Sequence, residues 1–193
     1  VDTDAPVITL TGSNPFSIDQ YTSYNEPGVS ASDNVDSTVS VITDDSSVNN
    51  SVVGTYTVTY SATDAAGNTA TATRDVEVLD KQPPVLTLNG DDPFYIDQRD
   101  TFLDPGASAL DNVDGDVSAN IVVSPVIIDT SLAGSFTLTY TVSDNAGNDA
   151  TPITRTVIVR DTEPPVITLN GSNPEVINQN ENYIDPGISI TDK

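Results

Sequence analysis

The sharpest pattern in the chain is a strict two-residue alternation over residues 55–62. Tyr56, Val58, Tyr60 and Ala62 share one parity, and threonine or serine fills the other. Residues 135–142 repeat it, with Phe136, Leu138, Tyr140 and Val142 in phase. Period two is the signature of a β-strand with one buried face. Shorter runs rich in Val, Ile and Thr lie at 7–10, 16–18, 29–32, 39–43 and 71–79, with counterparts at 94–96, 107–110, 117–123 and 153–160. Gly, Pro, Asn and Asp clusters separate these runs and mark turns. Residues 44–53 and 126–133 are weakly patterned and are expected to be irregular. No stretch carries a 3.6-residue apolar period, so helices are expected to be almost absent.

The pattern repeats as a block. Pro6-Val7-Ile8-Thr9-Leu10-Thr11-Gly12-Ser13-Asn14-Pro15 returns from Pro84 to Pro93 and again from Pro165 to Pro174. Val7 and Val85 are 78 residues apart, and Val85 and Val166 are 81 apart. A period of about eighty residues is domain-sized, longer than a solenoid repeat. The expected organisation is a first domain over 1–80, a second over 81–160 and the start of a third over 161–193. About seven strands per unit, with a turn signal every eight to twelve residues, predicts an all-β chain of tandem immunoglobulin-like β-sandwiches. The linkers Asp80-Lys81-Gln82-Pro83-Pro84 and Asp161-Thr162-Glu163-Pro164-Pro165 are short and stiffened by paired prolines.

Composition narrows the function. The 193 residues include 6 Lys and Arg against 29 Asp and Glu, a net charge of −23. Such a chain repels a phosphate backbone, so no nucleic-acid partner is expected, and it has no basic patch for anionic lipid. Cysteine and histidine are both absent, which removes disulfides, thiolate metal sites and every Ser-His or Cys-His nucleophile pair. The carboxylates are numerous but fall on loops with no sign of a cleft, so the chain is read as non-catalytic. No apolar run has the length of a membrane span, and direct membrane insertion is not expected. No leader pattern opens the chain, which reads as an internal piece of a longer polypeptide. Acidity with Thr, Ser and Asn richness fits a bacterial or archaeal extracellular or cell-surface protein.

The string from Gly54 to Ala70, with Asp104-Pro105-Gly106-Ala107 and Asp111-Asn112-Val113-Asp114-Gly115-Asp116, resembles bacterial surface Ig-like repeats. These are related to HYR modules and occur in adhesins, a pesticidal crystal protein and secreted polysaccharide hydrolases. The resemblance extends over residues 4–193. It implies an extracellular, often tandem, non-catalytic module and selects no ligand. The first unit departs from the pattern with Glu26 for Asp and Ser37-Thr38 for Gly-Asp.

Candidate chemistry sits in the acidic loops. In an Ig-like sandwich, the loop after the second strand, the loop before the last strand and the incoming linker share one end. For the second unit this gathers Asp80, Asp111, Asn112, Asp114, Asp116, Asp144 and Asn148; for the first, Asp4, Asp33, Asn34, Asp36, Asp64 and Asn68. Oxygen ligands in that number suit Ca²⁺ and no softer ion. Two carboxylates about 5 Å apart repel by roughly 3 kcal/mol at an effective dielectric near 20, so they need water or a cation between them. Asp, Asn and Gly are equally the residues of plain turns. The leading expectation is a structural stalk of a surface protein or adhesin, with neighbouring repeats of the chain as partners and calcium at the junctions. Two alternatives stand beside it: an accessory module binding a glycan or surface receptor for a secreted hydrolase, and a homopolymer assembling by strand exchange. Tyr24, Phe102 and Tyr183 share one repeat position, which points to packing before sugar stacking.

Overall fold

The structure is a computed structural model describing residues 2–192. The first repeat contributes β1 (Val7–Leu10), β2 (Phe16–Asp19), β3 (Val29–Ser32), β4 (Val41–Asp44), β5 (Gly54–Thr63) and β6 (Thr69–Leu79). The second contributes β7 (Val85–Leu88), β8 (Phe94–Asp97), β9 (Ala107–Asp111), β10 (Gly115–Asp116), β11 (Val122–Ser124), β12 (Gly134–Thr141) and β13 (Ile153–Arg160). The third adds β14 (Val166–Leu169) and β15 (Ile188–Thr191). The all-β, Ig-like class expected from the alternation is what forms. Among the described residues the first repeat has six strands where about seven were expected.

Two compact units divide the chain. One holds the first repeat through Leu86 together with Ser108–Ile121 and Thr141–Thr151; the other holds Thr87–Ala107, Val122–Tyr140 and the chain from Pro152 onward. In the first unit, β1 and β3 pair antiparallel, and a four-stranded sheet runs β2-β6-β5-β4 with β2 parallel to β6. Val58 and Tyr60 of β5, Val76 and Val78 of β6 and Ile18 of β2 form the core. Ile8, Leu10 and Val29 of the smaller sheet pack onto it, closing the sandwich. Each such side chain contributes about 1.5–3 kcal/mol when fully buried. Tyr24 meets Phe16 edge-on at 5.9 Å, so this repeat position is packing. A smaller cluster of Ala109, Val117, Val142 and Ala150 lies in the same unit. In the second unit, β11-β12-β13-β8 form a sheet with β8 parallel to β13, and Phe94 meets Phe102 edge-on at 5.4 Å.

Each last strand carries an arginine on its inward parity. Arg74 shares the buried face of β6 with Val76 and Val78 and is fully buried. Its fork donates Nη1–H to Ser13 O and Nη2–H to Thr11 O, both at 2.7 Å, and Nε–H to Tyr60 Oη at 3.1 Å. Glu26 stands 3.3 Å from the guanidinium and also accepts from the hydroxyls of Tyr24 and Tyr60 and from Gly28 N–H. Burial opposes ionisation of Glu26, but those donors and the Arg74 charge outweigh it and hold the carboxyl below its ordinary range. Arg155 on β13 repeats the arrangement with Asp91 O, Asn89 O, Gly106 O, Tyr140 Oη and Asp104.

One expected strand and one repeat counterpart of a strand form differently. Residues 117–123 were expected to be one strand; they split into a 3-10 helix, Ser118–Asn120, and then β11. Asp116 Oδ1 accepts Ser118 N–H at 2.9 Å, and Ser118 Oγ accepts Ala109 N–H at 2.9 Å, so side chains replace ladder bonds there. Residues 176–177 match β2 and β8 in sequence yet form no strand. Those two strands exist by parallel pairing with β6 and β13, and no such partner is present in the third repeat among the described residues.

Candidate metal centre

Three turns aim carboxylates at one another in the first compact unit. Asp80 directly follows β6, Asp111 closes β9 and Asp144 opens the loop after β12. All three are buried, and one oxygen from each lies within 4.8 Å of the others. Local turn chemistry holds each in place. Asp80 Oδ1 accepts Gln82 N–H at 3.0 Å, while Asp111 Oδ1 accepts the N–H groups of Val113 and Asp114 at 2.8 and 2.9 Å. Asp144 accepts from the backbone and side-chain amides of Asn148, both at 2.7 Å. The left-handed backbone that turns this loop falls on Gly147, at φ +87°.

Two oxygens are left over. Asp80 Oδ2 and Asp111 Oδ2 are buried and have no hydrogen-bond partner. Buried carboxylate oxygens are rarely unpartnered unless water or an ion satisfies them. Within 4.8 Å of one another and at an effective dielectric near 20, two ionised carboxylates of the trio repel by at least about 3.5 kcal/mol. Burial works against ionisation of Asp144, yet the Asn148 and Gly147 donors prevail and keep its carboxyl below the usual range. The trio is oxygen-only and preformed.

Of the seven residues the sequence placed at this junction, three converge. Asp114 receives Asn145 N–H at 2.7 Å on one oxygen and Asn145 Nδ2–H at 2.8 Å on the other, so it ties the two loops together. Asp116 accepts Ser118 N–H just ahead of the 3-10 turn, and the Ser118 donors lower its pKa. Asn112 donates Nδ2–H to Gln20 Oε1 at 2.8 Å, joining the acidic loop to the first repeat. Asn148 donates to Asp144 and, at 3.4 Å, to the Asp80 carbonyl, which makes it a positioning residue.

The first repeat gathers a different trio, Asp2, Asp33 and Asp36, also within 4.8 Å but only half-buried; Asp36 stands at the register of Asp114, and Asp64, the counterpart of Asp144, is outside it. Asp33 Oδ1 accepts the N–H groups of Val35 and Asp36, the latter the stronger influence in lowering its carboxyl. Asp36 also accepts Ala65 N–H, and Asp64 is bound by Asn68 as Asp144 is by Asn148. Asp4 lies outside the trio and accepts Asn34 Nδ2–H at 2.7 Å. Asp2 was missed in the sequence. Its signal was the repeat register, since Asp2 and Asp80 each precede the first strand's valine by five residues.

A family model described as bacterial surface protein, Ig-like domain, matches residues 8–78 and again 86–159. An uncharacterised 81.3 kDa protein of Acholeplasma phage L2 is 32% identical over 164 residues, 81% of this chain and 22% of its own. Hyalin of Lytechinus variegatus is 33% identical over 149 residues, 72% of this chain and 27% of its own. An outer cell wall protein of Brevibacillus brevis is 35% identical over 111 residues, 49% of this chain and 11% of its own. The chain thus spans about a quarter or less of the length of these relatives. No described helix is long and apolar enough to cross a membrane. With two sandwich repeats matched in tandem, the chain belongs to the Ig-like domain family of bacterial surface proteins.

Proposed function

We propose that this chain is a non-catalytic spacer module of an extracellular surface protein, stiffened by Ca²⁺ bound at Asp80, Asp111 and Asp144. The observation that carries the reading is the pair of buried, unpartnered oxygens on Asp80 and Asp111 inside a preformed acidic trio. A divalent cation would relieve the mutual repulsion and satisfy both oxygens. Calcium accepts six to eight oxygens in adaptable geometry, so three carboxylates can be completed by carbonyls and water; magnesium demands a tighter octahedron. Asp80 belongs to the linker, and Asn112 of the adjoining loop bonds Gln20 of the first repeat. An ion held there would fix the joint between successive repeats, which are the module's partners. The half-buried Asp2, Asp33 and Asp36 group is the weaker companion site.

Melting in calcium and in EDTA tests the reading. For a dissociation constant of about 1 mM, typical of extracellular modules, about 10 mM Ca²⁺ stabilises by roughly 1.4 kcal/mol. That corresponds to about 6–11 °C for a domain of this size. Equal concentrations of Mg²⁺ should give less than half the shift. Identical melting curves in calcium and EDTA would refute a structural ion.

A further inference from the structure

Each repeat carries a glutamine two residues after the isoleucine of its second apolar run, as Ile18-Asp19-Gln20, Ile96-Asp97-Gln98 and Ile177-Asn178-Gln179. In the first two repeats that glutamine ties down the last strand just ahead of the linker. Gln20 N–H donates to the carbonyl of Leu79, the final residue of β6, at 2.8 Å. Gln98 N–H donates to the carbonyl of Arg160, the final residue of β13, also at 2.8 Å. The side-chain amides each reach a second loop in the same way: Gln20 Nε2–H donates to Ser51 O at 2.8 Å, and Gln98 Nε2–H to Ser131 O. The next residue turns the chain through left-handed backbone, with Tyr21 at φ +67°, Arg99 at φ +70° and Asn180 at φ +72°. Bulky side chains disfavour that conformation, and it persists where the surroundings fix it. For Tyr21 they do: Asn50 O accepts its N–H at 2.7 Å, and Asp19 O accepts Thr22 N–H at 3.0 Å.

Gln20 makes one more bond, accepting Asn112 Nδ2–H on Oε1 at 2.8 Å. It is therefore bonded through its backbone to the residue before Asp80 and through its side chain to the residue after Asp111. Asp80 and Asp111 are the two members of the trio with buried, unpartnered oxygens. Asn34, the counterpart of Asn112, also uses its side-chain amide as a donor, to Asp4 Oδ2 at 2.7 Å. Glutamine suits the position because one planar amide supplies an acceptor for Asn112 and a donor for Ser51 O together. Glutamate lacks the donor, and alanine lacks both.

From these bonds we infer that Gln20 is a latch by which the first repeat recognises the repeat that follows it. The partner this surface fits is a tandem copy with Asp-Asn at the end of the strand equivalent to β9, its asparagine read through the amide donor. The latch fixes Asp80 against Asp111. Gln20 is thus a positioning residue for the ion, contributed by the repeat that precedes Asp111 and Asp144. Its effect on ion affinity rests on the calcium reading above, while the latch between the repeats does not. The coupling is reciprocal, since an ion held by Asp80 and Asp111 strengthens the Gln20–Asn112 bond by the factor with which that bond strengthens ion binding. Through the bonds of Gln20 to Ser51 O and of Tyr21 to Asn50 O, the same coupling reaches the loop ahead of β5.

The test titrates Ca²⁺ into the whole chain and into Q20A, N112A and the double variant, and follows amide exchange of the same four proteins in EDTA. Each single substitution should weaken calcium binding about tenfold, the loss usual for groups that orient metal ligands, with unchanged circular dichroism. The double variant should weaken it no further, because both substitutions remove one shared bond. In EDTA, N112A should speed exchange of the Tyr21 amide, and Q20A that of the Val113 and Asp114 amides. Each acceleration should be about fivefold, what one neutral hydrogen bond contributes. Calcium losses that add in the double variant would show the two side chains acting separately and overturn the latch. Unchanged exchange across the joint would overturn it too, even in a chain that binds calcium normally. Crossed exchange effects in a chain that takes up no calcium would uphold the latch and refute the ion, so the two readings fail separately.

Discussion

Replacing Arg74 with methionine isolates what the buried arginine does for the first sandwich. Methionine keeps the apolar stem and removes the fork. The change deletes the bonds to Ser13 O, Thr11 O and Gly28 O and the contact with Tyr60 Oη. Gly28 O still accepts Thr11 N–H, and Glu26 keeps Tyr24, Tyr60 and Gly28 N–H. The net losses are donors to two carbonyls, at about 1–3 kcal/mol each, and the cationic partner of Glu26. The sum agrees with the roughly 3–5 kcal/mol cost of removing one member of a buried ion pair. With about 4–8 °C per kcal/mol, the first repeat should melt at least about 12 °C lower. Urea denaturation with hydrogen exchange resolved over β5 and β6 measures this locally, away from the second repeat. R74K should fall between the two, retaining charge without the fork. A loss below about 1 kcal/mol in R74M would show that the arginine is incidental to the core.

Asn148→Ala removes the side-chain donor to Asp144 and the Asp80 carbonyl while keeping the backbone bond to Asp144. Calcium affinity should drop about tenfold, as for other positioning residues around metals, with unchanged secondary structure by circular dichroism. Acid should destabilise the fold in a definite direction. The carboxyls of Glu26, Asp64 and Asp144 are all held below their ordinary values, with hydrogen-bond donors overcoming burial in each. Their stabilisation is complete above the unfolded carboxylate pKa of about 4 and is lost as pH falls through the lower folded values. Melting temperatures in high salt, where repulsion from the net charge is screened, should therefore fall as pH drops below about 4; a rise would contradict the assignment.

Period-two alternation made β5 and β12 legible because half-buried strands imprint their burial directly on sequence. Repeat register made the acidic loops legible as a group. The division of labour within them was hidden, because turn-forming and ion-facing aspartates are the same residue. Asp114 and Asp116 read like Asp111, and only hydrogen bonding from Asn145 and Ser118 separates them. Arg74 and Arg155 escaped notice because a charged residue in a strand is first taken for a solvent-facing one. Their parity, in step with Val76 and Val157, carried the information in both repeats. The loss of strand character at residues 118–120 turned on one serine hydroxyl replacing a ladder partner, which no periodicity records.

The most direct test of the joint is calorimetric titration of Ca²⁺ into the chain and into Asp111→Asn. Asparagine keeps the oxygen that accepts Val113 and Asp114 N–H and removes the charge facing Asp80 and Asp144. D111N should lose the tightest calcium site while melting in EDTA no lower than the unmodified chain, because repulsion in the trio is relieved. Equal calcium heats in the two proteins, or none in the unmodified chain, would contradict it.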